Sequence, residues 1–132
     1  MHETLCPLLL AAAAMAVQST TPSDWVGVWQ GELDGQPSLV LTLATDDGTL
    51  QGTLVLNGIN NESGQARIAV REPHVLLHTK VDGDSLSFEV KRLRGSITPM
   101  DFSVELTAHD HAKIRCLNCG DDAPNVEISK HD

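Results

Sequence analysis

A chain of 132 residues with 41% apolar content has enough material for one buried core and none for a second domain. Its formal net charge of −9, with two Trp, two Phe and no Tyr, argues against nucleic acid as a partner, because such a surface needs a basic stripe and stacking rings. The one basic cluster, Lys91-Arg92-Leu93-Arg94, is brief and reads as a solvated strand end.

The first element is an uncharged apolar stretch from Leu5 to Val17, long enough for the core of a signal peptide and short for a bilayer-spanning helix. Ala14-Met15-Ala16 supplies the small-x-small cleavage pattern. Residues 1–16 are therefore expected to be a signal peptide and 17–23 a disordered N-terminal segment ahead of a single domain over 24–132. Cys6 precedes the apolar run, whereas a lipoprotein's modified cysteine would follow it. The expected location is secreted or periplasmic, with no membrane attachment once the leader is cleaved.

From Asp24 onward the hydrophobic period is two, with turn signals about every ten residues, the spacing of an all-β barrel or sandwich. The predicted strands are Trp25–Leu33, a second carrying Leu39, Leu41 and Leu43, and a third carrying Leu50, Gly52, Leu54 and Leu56. After them come Ala66–Arg71, His74–Val81, Leu86–Lys91, Met100–Thr107, Ala112–Cys116 and Asn125–Ser129. Asp46-Asp47-Gly48 and Asp82-Gly83-Asp84 read as hairpin turns, since Asp and Gly tolerate positive φ, and neither has the run of oxygen ligands of a calcium loop. Each strand has one dry row to hide. A small antiparallel up-and-down β-barrel of about eight or nine strands is expected, with a β-sandwich as the alternative.

In the first strand Trp25, Gly27, Trp29, Gly31 and Leu33 fall on one face, bulky alternating with minimal. Gly27-Val28-Trp29 resembles the G-x-W element that opens the barrel of lipocalin-like (calycin-like) proteins. Gln51-Gly52-Thr53-Leu54 resembles the Gly-x-Leu pattern of uncharacterised exported bacterial β-barrel domains. The resemblance implies a lipocalin-like barrel whose end is packed by Trp25 and Trp29, with Arg115 from a late strand lying against the tryptophan.

No reactive constellation stands out along the strands. G-x-S-x-G, H-E-x-x-H and phosphate-loop motifs are missing, so no catalytic residues and no cofactor are expected. His74 and His78 in one strand would lie ~13 Å apart, too far to share a metal, and read as surface histidines. Glu89 and Glu105 read as outward-facing. Asn61-Glu62-Ser63 matches the glycosylation sequon, a pattern short enough to arise by chance.

The last reactive stretch is His109-Asp-His111-Ala-Lys-Ile-Arg-Cys116-Leu-Asn-Cys119-Gly120. With the leader removed, Cys116 and Cys119 are an even pair in an oxidising compartment, and a disulfide is expected. A redox role would need the C-x-x-C at a helix N-terminus, and the flanks here are strands. His109 and His111 project the same way ~7 Å apart and form a possible metal pair, whereas five extended positions, ~16 Å, separate His111 from Cys116.

These readings converge on an exported, non-catalytic β-barrel that binds a protein or a small apolar ligand through its rim and loops. Two alternatives stand beside it: an inhibitor-type module acting on an extracytoplasmic enzyme through Asn57–Gly64, Arg92–Pro99 or Cys119–Asn125, and a metal-binding protein using His109 and His111.

Overall fold

The computed structural model describes residues 22–33, 35–60, 67–92, 97–120, 123 and 125–131, with 33, 58–60 and 67–70 as backbone only. A 3-10 turn, Pro22–Trp25, leads into nine strands: β1 (Gly27–Leu33), β2 (Gln36–Asp46), β3 (Thr49–Asn60), β4 (Arg67–Val75), β5 (Leu77–Asp82), β6 (Ser85–Val90), β7 (Met100–Ala108), β8 (His111–Cys116) and β9 (Val126–His131). The leader, the sequon and residues 61–64, 93–96, 121–122 and 124 of the loops singled out above lie outside the described residues.

All nine strands form a single antiparallel sheet in the order β4-β3-β2-β1-β9-β8-β7-β6-β5. The two ends of that order are consecutive in the chain, separated only by Leu76. The Leu76 N–H donates to the Gly52 carbonyl at 3.1 Å, and the Thr79 hydroxyl donates to the Leu50 carbonyl. These bonds tie β5 to the start of β3. The sheet thus curls into a nearly closed barrel, with one layer wrapped on itself rather than the two layers of a sandwich.

The strand count hides a simpler architecture. Passing round the sheet from β4 to β5 crosses eight antiparallel ladders. Because that number is even, β4 and β5 run in the same direction. They form one kinked strand whose first half pairs with β3 and whose second half pairs with β6. The barrel is an eight-strand up-and-down meander that closes through this kink, where His78 takes a positive φ of 53° and the β5–β6 register shifts.

Local chemistry explains the tight connections. Asp47 and Gly48, at φ 53° and 79°, form the two-residue turn between β2 and β3, the mirror-image turn whose twist matches its strands. At Gly52 a Cβ would stand 1.9 Å from the Thr42 carbonyl oxygen, so only glycine lets β2 and β3 approach this closely.

The dry rows meet inside as one continuous cluster. Leu39, Leu41, Leu43, Leu54, Leu86, Val104, Ile114 and Ile128 are all buried, and Phe88 stacks on Phe102 with ring centroids 5.4 Å apart. Trp25 and Trp29 are completely buried, with ring centroids 5.9 Å apart.

Several expected boundaries move. Trp25 belongs to the 3-10 turn rather than to the first strand, and Pro22 and Ser23, expected in a disordered segment, are part of that turn. The expected break near Glu72-Pro73 does not occur. β4 runs through Pro73 to Val75 and the break falls at Leu76, because β4 has no ladder on its outer side and an edge strand tolerates proline. β3 continues to Asn60, beyond the expected loop start at Asn57, and β9 extends past Ser129 to His131.

Candidate functional site

At the Trp end of the barrel, β1 places Trp29 inward between Gly27 and Gly31, opposite Leu41 of β2. The Trp29 Nε1–H donates to the Trp25 carbonyl at 3.0 Å, which anchors the 3-10 turn beneath the barrel. Lys130 of β9 lies opposite Trp29. Its ammonium sits 5.2 Å from the Trp29 ring centroid and donates to the Asp24 carbonyl at 3.0 Å. Its methylene stem passes over Gly27, where a Cβ would lie 3.2 Å from it.

The cation on the tryptophan is therefore Lys130, and Arg115 is elsewhere. Ala112, Ile114 and Cys116 occupy the inner row of β8, so the strict alternation of that strand turns Arg115 to the outside, opposite Ser103. The signal for Lys130 was present in the row Val126, Ile128, Lys130, but ending the strand at Ser129 left it out.

On the rim beyond β8, Cys116 and Cys119 lie at disulfide distance, with Cα atoms 5.6 Å apart. Asn118, between them, ties this turn to the β6–β7 connection. Its side-chain N–H donates to the Pro99 carbonyl at 2.9 Å, and its Oδ1 accepts from the Asp101 N–H at 2.9 Å. Arg92 completes the brace by donating to the Thr98 carbonyl at 3.0 Å and the Asn118 carbonyl at 3.3 Å. On this scaffold Ile97 is fully exposed and Leu117 is 56% exposed. Sequence reasoning found the cysteines but not the role of Asn118, which depends on a partner 19 residues away.

The described histidines separate into three environments. His74, expected on the surface, is buried, because the β3–β4 register sets it opposite Leu54 on the inner face. Its Nδ1–H donates to the Lys91 carbonyl at 3.0 Å, across the gap between β4 and the end of β6. Its Nε2 is buried with no hydrogen-bond partner among the described residues, 3.9 Å from a Glu72 carboxylate oxygen. His78 is exposed at the kink, 3.4 Å from Glu89. Glu89 and Glu105 lie opposite Asp101 and Ser85 on the outside of the sheet.

The third group is at the corner where β7 turns into β8. His109, in the turn, and His111, at the start of β8, both face Asp110, at 3.8 Å and 2.8 Å. The hydrogen bond from His111 holds the Asp110 carboxyl below its ordinary range, a pull reinforced by the nearby histidine charges. The structure adds His131, which the sequence reading passed over. The β8–β9 register sets His111 opposite Ser129, and His131 follows two positions later on the same outer face. Its Nε2 lies 3.3 Å from the Ser129 hydroxyl. Among the described residues no three His, Cys, Asp or Glu side chains cluster so as to hold a metal ion.

Compared with protein-family models, with curated proteins and with solved structures, the chain matches none.

Proposed function

We propose that the chain is an exported, non-catalytic β-barrel that binds a protein partner through its disulfide-bearing rim. The observation that carries this reading is the braced rim itself. Leu117, on the turn that Asn118 and the Cys116–Cys119 pair brace, and Ile97, beside the pinned Thr98 and Pro99 carbonyls, are apolar side chains held out in solvent. Preorganised apolar groups bind well because little conformational freedom remains to be lost on association. The continuous apolar cluster that the described inward rows form supports the rim over the interior as the place of contact. Export is supported by the apolar stretch Leu5–Val17 with its Ala14-Met15-Ala16 cleavage pattern and by the paired cysteines.

A photo-crosslinking residue placed at Ile97 or Leu117, in cells that produce the protein, tests this. A discrete protein adduct is expected from both positions, none from the opposite turn at Asp47, and weakening of the adduct in the Asn118→Ala background. Adducts from Asp47 as readily as from the rim, or a lipid-sized molecule retained by the purified protein, would sink the proposal. The inhibitor-type reading is a narrower form of the same idea, favoured by the full exposure of Ile97 beside the pinned Thr98-Pro99 backbone.

A further inference from the structure

His111 and His131 are separated by 20 positions in the chain but share one patch of the outer surface. In an antiparallel pair, residues directly opposite share a face, and diagonal neighbours lie about 7–8 Å apart. With His111 opposite Ser129, His131 is the diagonal neighbour of His111. Both rings, with Gln30, Glu32 and Ser129, line a groove of about 630 Å³ on the outside of β1, β8 and β9.

Among the described residues, each imidazole is held at one nitrogen. Asp110 engages Nδ1 of His111 at 2.8 Å, and a carboxylate can only accept, so Nδ1 donates and Nε2 is the nitrogen left for another partner. Ser129 engages Nε2 of His131 at 3.3 Å, leaving Nδ1 of that ring without a hydrogen bond among the described residues. An oxygen fixing one ring nitrogen while the other is open is the arrangement that orients metal-binding histidines. Two imidazoles at this spacing can converge on one ion with nitrogen–metal distances of about 2.0–2.1 Å, water filling the remaining positions.

The surrounding charge agrees with a cation. Lys113, the next outward residue of β8, stands between Glu105 of β7 and Glu127 of β9, which offset it. The chain as a whole carries a net charge of −9, which raises the local concentration of cations.

We infer that His111 and His131 form a surface site for a divalent transition metal, with Asp110 and Ser129 as positioning residues. It differs from the pair expected from sequence, His109 and His111, in taking its second nitrogen from β9. His109 is a neighbour rather than a ligand: it lies in the β7–β8 turn, outside the β8–β9 ladder, and its ring stands 3.8 Å from Asp110 where that of His111 stands at 2.8 Å.

Zinc chloride titrated calorimetrically into the whole chain at neutral pH tests the assignment. A single zinc ion per chain is expected. His111→Ala and His131→Ala should each weaken binding by at least about tenfold, the double variant should do no worse than the weaker single one, and His109→Ala should leave affinity unchanged. All three side chains are exposed, and an unchanged near-ultraviolet circular dichroism spectrum would show that the fold survives each change. As an independent readout, substoichiometric copper(II) should broaden the amide signals of His111, Ser129 and His131 before that of His78. Full affinity in His131→Ala, equal weakening by His109→Ala, or broadening first at His78 would each overturn the site.

Discussion

Side chains in this barrel take their roles from register more than from type. Lys130 lies against Trp29 because β9 pairs with β1 at that position, while Arg115, chemically the better cation for an indole face, is turned outward by the alternation of β8. The two can be separated by experiment. Lys130→Met removes the charge over the ring and the bond to the Asp24 carbonyl while keeping most of the stem over Gly27. It is expected to cost about 1 kcal/mol, read as a lower denaturation midpoint. Arg115→Met is expected to leave that midpoint unchanged within error, as surface substitutions away from special features do. A larger effect at Arg115 than at Lys130 would contradict the packing described here. His74 follows the same logic: register puts an imidazole inside the barrel, where its Nδ1–H finds the Lys91 carbonyl as acceptor across the seam.

At the scale of elements, the β4–β5 kink is the departure from regularity that makes closure possible. A straight strand could pair with β3 or with β6 along its length; bending at Leu76 lets one segment do both in succession. The bend places His78 in the left-handed region, which costs a residue with a Cβ roughly 1–2 kcal/mol. His78→Gly is therefore expected to stabilise the protein by up to about 1 kcal/mol, the relief being partly offset by glycine's larger entropy loss on folding. Loss of the exposed His78–Glu89 pair subtracts little. A urea midpoint that rises with an unchanged slope would show it, whereas a fall would mean that the imidazole itself supports the kink. This element was hard to see in sequence because Glu72-Pro73 is the stronger breaker signal, and only the absence of a further neighbour on that edge makes the proline harmless.

For the whole molecule, hydrogen bonding around the barrel is unequal. β1 and β8 have ladders on both sides, whereas β4 and β5 each have one, with isolated bonds across the remaining gap. Opening is expected to begin at that seam, so amides of β4 and β5 should exchange with deuterium faster than those in the middle of β1 and β8. Uniform protection would indicate a barrel without a seam. Much of this architecture was legible in the chain: the alternation of Leu86–Val90 and Met100–Thr107, the Asp47-Gly48 turn and the paired cysteines each act through neighbours close in sequence. Such local rules determined an antiparallel barrel of small strands with a stapled turn. What only the tertiary structure decided depends on partners far along the chain: Lys130 rather than Arg115 on Trp29, His74 inside, Asn118 bracing Pro99, and His131 beside His111. In a strand of period two, a shift of one residue reverses every side chain, and a boundary misjudged by two hides one altogether. The register that closes the barrel, not local pattern, settles which residues meet.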